Sequence, residues 1–311
     1  MMSRALFLSL LYSCGTENPV GTSDARTPPV QQTTPTEQLP PGQTPAADTV
    51  AYSGSFGSGS GTYTINSRSV LVHVPSAHSP APPLVIALHG TGAQDDVLSA
   101  MQELDALSVS EQNGFILAAP ASSNNGGPNA DHDEDADRPG WIFSESSPDL
   151  ALVRAIIQEA RRAYNIDASR VYVVGHSNGA FFAYFVSMKL ADRVAAFAEN
   201  SGGLIACGTR TSCTHTANGA TSCSAVMSSA PAACKCAIDA SSFPTMKPSG
   251  RVPPGFLKHN ADDTTVSPVY TCRLAEHLGA SAQVTIDVAG EHGPTNEFMA
   301  KAWTFLSSKT L

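Results

Sequence analysis

Positive charge is scarce in this chain. Eighteen Lys and Arg stand against 27 Asp and Glu, a formal net charge of −9 over 311 residues. That balance disfavours nucleic acid or an anionic membrane as an electrostatic partner. Long apolar runs are missing too. Beyond a short stretch near the N-terminus, nothing approaches the roughly 18 residues that cross a bilayer, so no second membrane segment is expected. No stretch calls for a cofactor, and no Cys/His spacing matches a common zinc pattern. A metal site built from the cysteines and His215 therefore stands as the lesser alternative to disulfides.

The segment from Thr16 to Val50 has almost no large apolar residues and no periodicity, while holding seven prolines and eight threonines. It cannot bury enough surface to offset its ordering entropy, and 15–50 is read as a disordered Thr/Pro-rich linker. Before it, residues 1–14 read as a signal peptide. Arg4 precedes the apolar Ala5–Leu11, and Leu11-Tyr12-Ser13-Cys14 resembles a bacterial lipobox, which makes Cys14 the lipidation candidate. A signal peptide cleaved nearby without lipidation, or a buried N-terminal helix, are the alternatives. Either export route places the chain outside the cytoplasm, secreted or anchored by lipid to a membrane's outer face. Of seven cysteines, six then remain: Cys207, Cys213, Cys223, Cys234, Cys236 and Cys272. An even set in an exported protein reads as disulfides, with the pairing open.

What is present over 51–311 is a regular rhythm. Thr62–Pro75 alternates like a hairpin, and Pro83–Gly90 is a continuous apolar strand suited to the middle of a parallel sheet. There follow a helix near Asp95–Gln112, a strand Gly114–Pro120, a helix Asp149–Tyr164, a strand Arg170–Gly175 and a helix Asn178–Leu190. Then come strands Val194–Asn200 and Phe256–Asn260, a helix Pro268–Leu278, a strand Gln283–Val288 and a helix Asn296–Ser307. Alternation of this kind implies an α/β, doubly wound, mostly parallel sheet with an antiparallel start. Two segments interrupt it. Ala121–Pro148 carries Asp131, Asp133, Asp135 and Asp137, but Ala136 and Ile142 stand where a calcium loop needs Gly and Glu, so a solvated acidic loop is expected. The other, 202–254, holds five of the six cysteines and is read as a disulfide-rich, lid-like insertion.

The chemistry is concentrated at Gly175-His176-Ser177-Asn178-Gly179. A G-x-S-x-G between a buried strand and an apolar helix is the signature of a sharp turn that lifts a serine hydroxyl above a sheet, so Ser177 is the candidate nucleophile. A serine needs a base, and the base needs a carboxylate to hold its tautomer. In such sheets the chain order is nucleophile, acid, histidine. His277 and His292 satisfy it. His277 lies inside a helical run and His292 in Gly290-Glu291-His292-Gly293-Pro294 just past a strand, so His292 is the candidate base. Asp262 and Asp263, after the strand ending at Asn260, are the best-placed acids, ahead of Asp287 and Glu291. Backbone N–H groups of Thr91, in His89-Gly90-Thr91-Gly92, and of Asn178 are the expected oxyanion donors.

With these residues placed, Thr62–Leu311 resembles the α/β-hydrolase superfamily, in particular secreted esterases grouped with poly(3-hydroxybutyrate) depolymerases and feruloyl esterases. The resemblance rests on Leu88–Gly92, Tyr164–Gly179, His259–Val266 and Gly290–His292. It implies Asp263 as the acid, four residues after the histidine of a His-Gly-Thr-x-Asp segment, and a cofactor-free serine esterase acting on polymeric or small esters. A polyester depolymerase leads, with a feruloyl or acetylxylan esterase next. A serine peptidase and a catalytically silent polymer-binding lipoprotein are further alternatives. Asn260 replaces the family's usual glycine, Ser267 a common proline, and the tryptophan that often follows the base is missing.

Overall fold

A computed structural model describes residues 50–92, 101–102, 104–123, 140–204, 213–234, 251–294 and 297–311. The leader and linker expectations, Cys14, Cys207 and Cys236, and the aspartates of the acidic loop lie outside these residues. Every described residue belongs to a single unit of the chain, 37–311.

The chain enters through an antiparallel hairpin, β1 (Gly61–Ile65) and β2 (Arg68–His73). Its two-residue turn, Asn66-Ser67, has φ of 49° and 63°, the left-handed pair whose twist matches a hairpin. Six further strands follow: β3 (Leu84–Leu88), β4 (Ile116–Pro120), β5 (Val171–His176), β6 (Ala196–Asn200), β7 (Gly255–Asn260) and β8 (Ala282–Asp287). The sheet order is β1-β2-β4-β3-β5-β6-β7-β8, with β2 antiparallel to β4 and every pair from β4 to β8 parallel.

Helices cover both faces. Helices α2 (Pro148–Tyr164), α3 (Asn178–Lys189) and α5 (Pro268–Leu278) share a core with Leu84, Ile86, Val171, Val173, Phe197 and Leu257. On the other face, α1 (Ala106–Asn113) and α6 (Phe298–Leu306) pack on Val85, Ala87, Tyr172, Val174 and Phe256. Successive strand residues alternate between these two cores, which explains the unbroken apolar runs of β3 and β5. A short α4 (Cys223–Ser229) lies in the insertion.

Most elements fall within a residue or two of expectation. The helix expected over Asp95–Gln112 does not run through its C-terminal half: Leu104-Asp105 interrupts it. Asp105 adopts φ 53°, a conformation that Asp tolerates better than most residues, and its N–H closes a turn onto the Gln102 carbonyl at 3.0 Å. Among the described residues no helix is long and apolar enough to cross a membrane.

Candidate active site

Ser177 occupies φ 53°, ψ −122°, a backbone state that costs a non-glycine residue about 1–3 kcal/mol. Its surroundings hold it there. The Ser177 N–H donates to the Asn200 carbonyl at 3.0 Å, and its carbonyl accepts from Ala180 N–H at 2.9 Å. Both glycines of the pentapeptide are sterically required. A Cβ on Gly175 would sit 2.1 Å from the Gly179 carbonyl oxygen, and one on Gly179 would sit 2.3 Å from that of Leu88.

The turn stands where the sheet changes direction. β3 lies between β4 and β5, so the chain leaves β3 toward one side and β5 toward the other, opening a crevice between their C-terminal ends. The loop after β3 approaches Ser177 there, since a Cβ on Gly90 would lie 3.3 Å from the Ser177 Cβ. Thr91 follows at once. Across the crevice Asn178 opens α3, whose first N–H groups have no intrahelical acceptor and sit at the positive end of the helix dipole.

Two residues to which the sequence assigned no role at the site, Trp141 and Asp149, brace this loop. The Trp141 indole N–H donates to the His89 carbonyl at 2.8 Å, while its backbone N–H donates to Asn178 Oδ1 at 2.9 Å. Its ring stacks on Phe182. His89 accepts the Ser122 N–H at Nε2, so Nδ1 carries the proton and donates to Gly90 O at 2.6 Å. Asp149 ties this region to α2. Fully buried, it accepts from the backbone N–H of Ser123 and Ile142 and pairs with Arg68. A tryptophan in a long polar loop offered no periodic signal, and Asp149 figured only as the start of the expected helix Asp149–Tyr164.

The candidate base and acid, His292 and Asp263, lie on the loops after β8 and β7. His292 Nε2 lies 2.9 Å from Ser177 Oγ, and its Nδ1 lies 2.8 Å from Asp263 Oδ2. Asp263 Oδ1 accepts from the N–H groups of Thr265 and Val266 at 2.8 and 2.9 Å. A second histidine, His259, reaches Oδ2 with Nε2 at 3.2 Å. Burial works to raise the Asp263 pKa, but the hydrogen bonds from His259 and His292 outweigh it and hold the carboxyl well below the usual carboxylate range. The group is therefore an acceptor only. Asp262, the other candidate acid, accepts the Glu291 N–H at 3.0 Å instead of meeting His292. Asn260 donates from Nδ2 to the carbonyls of Glu291 and Gly293, both at 2.9 Å. The backbone on both sides of His292 is thus held, which stabilises the φ of 52° at Glu291.

The remaining candidates lie elsewhere. His277, on the exposed side of α5, meets the Tyr184 ring edge-on, and desolvation holds its pKa below the usual histidine value. Asp287 pairs with the buried Lys258 at 2.5 Å. Cys213 bonds Cys234 within the insertion, and Cys223 bonds Cys272 on α5. His215 contacts Ser229 through its ring and accepts the Ser267 hydroxyl with its carbonyl. With Ala217 N–H donating to the Ala261 carbonyl at 2.7 Å, the described part of the insertion packs against the loop that carries Asp263.

No family model matches the chain. Over 135 residues, 43% of its length, it is 31% identical to a bifunctional acetylxylan esterase/xylanase of Neocallimastix patriciarum, of which that stretch covers 18%. It is 30% identical to feruloyl esterase B of Neurospora crassa, again over 135 residues, 43% of this chain and 44% of that protein. The match thus spans less than half the length of either relative. Among solved structures, an acetyl xylan esterase from Aspergillus awamori superposes with a TM-score of 0.54 at 19% identity, covering 83% of this chain and 99% of that one. A thermostable esterase superposes at 0.50 and 18% identity, covering 78% and 60%. At such identities the likeness is one of fold, and it is that of the α/β-hydrolases.

Proposed function

We propose that the chain is a serine esterase that cleaves carboxylic esters through Ser177, His292 and Asp263. The observation that carries this reading is the unbroken hydrogen-bonded line from Ser177 Oγ through His292 to Asp263, with spacings of 2.9 and 2.8 Å. In the reaction His292 Nε2 takes the Ser177 proton as Oγ adds to the ester carbonyl, and Asp263 stabilises the imidazolium that forms. The N–H groups of Asn178 and Thr91 receive the oxyanion. His292 then protonates the leaving alcohol, and water, deprotonated by the same ring, releases the acid from Ser177. No step needs a metal or cofactor.

For the substrate, the names of both curated relatives favour acetyl or feruloyl esters of plant polysaccharide over the polyester that the sequence put first. The disulfides support an exported protein in this reading, since such bonds persist in oxidising compartments. Lipidation at Cys14 remains part of this reading as the means of anchorage.

The test is hydrolysis of acetylated xylan, methyl ferulate and a poly(3-hydroxybutyrate) suspension by the oxidised chain. Wild type is expected to release acetate or ferulate and leave the suspension turbid. Ser177→Ala should cut kcat by roughly a million-fold. Ester hydrolysis persisting in that variant sinks the assignment, and clearing of the suspension by wild type returns the polyester reading.

A further inference from the structure

We infer that His259, Thr271 and Glu199 form a buried arm that positions Asp263 and fixes its charge, extending the line from Ser177 and His292 to six residues; this rests on the esterase reading above. The contacts are continuous. His259 Nε2 lies 2.9 Å from the Val266 carbonyl and 3.2 Å from Asp263 Oδ2, and its Nδ1 lies 2.7 Å from Thr271 Oγ1. Thr271 Oγ1 lies 3.0 Å from Glu199 Oε1 and 3.1 Å from the Gly202 carbonyl. All three side chains are sealed from solvent. Their meeting is a consequence of sheet parity. Glu199 shares a face with Phe197 on β6 and His259 shares one with Leu257 on β7, the face covered by α5, which supplies Thr271.

The protons can be assigned by elimination. Val266 O and the Asp263 carboxylate are acceptors, so His259 Nε2 carries a hydrogen. Thr271 has a single hydrogen, and its shortest contact is Nδ1. If that hydrogen goes to Nδ1, a hydrogen must come to the threonine oxygen from elsewhere. The Gly202 carbonyl cannot give one, whereas a protonated Glu199 can. The line then reads Glu199 O–H to Thr271 O–H to His259 Nδ1, with Nε2–H aimed at Asp263. Burial supports this assignment, pushing Glu199 up to about 8 against the opposing hydrogen bonds from Thr271 and the Gly202 backbone.

When Glu199 loses its proton, the Thr271 hydroxyl turns to the new carboxylate and withdraws its hydrogen from Nδ1. His259 must then leave its place or take up a proton at Nδ1. As an imidazolium it would compete with His292 for Asp263, and in either case the stabilisation of His292 during turnover weakens. The groups facing this arm are few. Glu199 meets Thr271 and Gly202, His259 meets Thr271, Val266 and Asp263, and Asp263 meets His292 and the N–H groups of Thr265 and Val266. Lys258, the neighbour of His259 on β7, is engaged with Asp287.

The experiment is the pH profile of kcat and KM on p-nitrophenyl acetate for wild type, Glu199→Gln, Thr271→Val and Thr271→Ser, with folding checked by thermal melts. Wild-type kcat should fall as pH rises through about 8. Glu199→Gln, whose amide N–H donates to Thr271 at every pH, should remove that fall. Thr271→Val should lower kcat roughly 10- to 100-fold at constant KM, and Thr271→Ser should restore it. Alongside, histidine 15N shifts are followed from pH 6 to 9 in full-length Ser177→Ala, with and without Glu199→Gln. A His259 response near pH 8 that Glu199→Gln abolishes supports the arm without any turnover. Wild-type ester inactivity with that response intact would sink the esterase reading alone. Identical pH profiles and shifts with and without Glu199→Gln overturn the arm while leaving the esterase standing.

Discussion

The Asn260 side chain holds the backbone on either side of His292. Removing it with Asn260→Gly deletes two hydrogen bonds, each worth about 1 kcal/mol, and loosens the base. Asn260→Asp is expected to be worse, because a carboxylate there faces two carbonyl oxygens that it cannot satisfy. Relative to wild type, kcat on p-nitrophenyl acetate should fall about 10-fold for the glycine variant and further for the aspartate, with KM little changed. Equal loss in the two would show that the amide does not act as a donor. Ser177 and His292 were legible because glycines and turn formers mark their loops. The choice of Asp263 over its neighbour came from resemblance rather than from spacing. Glu199 and His259 stand inside strands, where the sequence displays burial but not the partner that another element supplies.

At the scale of elements, the continuous apolar runs of β3 and β5 announced a doubly wound sheet, and that sheet is present. The insertion was less readable, since six cysteines allow many pairings and sequence spacing does not choose among them. Cys223–Cys272 closes 49 residues and joins the insertion to α5, whereas Cys213–Cys234 closes 21 residues within it. Loop-closure entropy predicts a loss of about 4 kcal/mol for the Cys223→Ser/Cys272→Ser pair and about 3 kcal/mol for the other. Urea titrations of the two double variants measure this. The first should also lower esterase activity, because α5 carries Thr271 and begins next to the Asp263 loop. Full activity in the first variant would mean that the insertion does not support the acid.

Stability against pH is a property of the whole molecule, and two of its buried carboxyls pull in opposite directions. Glu199 titrates near 8 in the folded chain and near 4.5 when unfolded, so the native state holds more protons in that window. Stability should fall as pH rises through it, by up to about 1.4 kcal/mol per unit. Asp263 is depressed when folded, so its contribution is present above the unfolded value of 3.8 and lost as pH falls below that. Urea midpoints should therefore decline from pH 5 to pH 8, and Glu199→Gln should flatten the decline. A slope unchanged by that substitution would place the titrating group elsewhere.

Ser177 and His292 meet across 115 residues of sequence, and His292 follows β8, the last strand of the sheet. Contacts of such long range are slow to form, because the loop between them must be closed first. On the proposed mechanism, a polypeptide still on the ribosome, or halted short of its last strand, carries Ser177 without the histidine that would take its proton. Recovery of esterase activity on refolding should accordingly trail the recovery of helical signal.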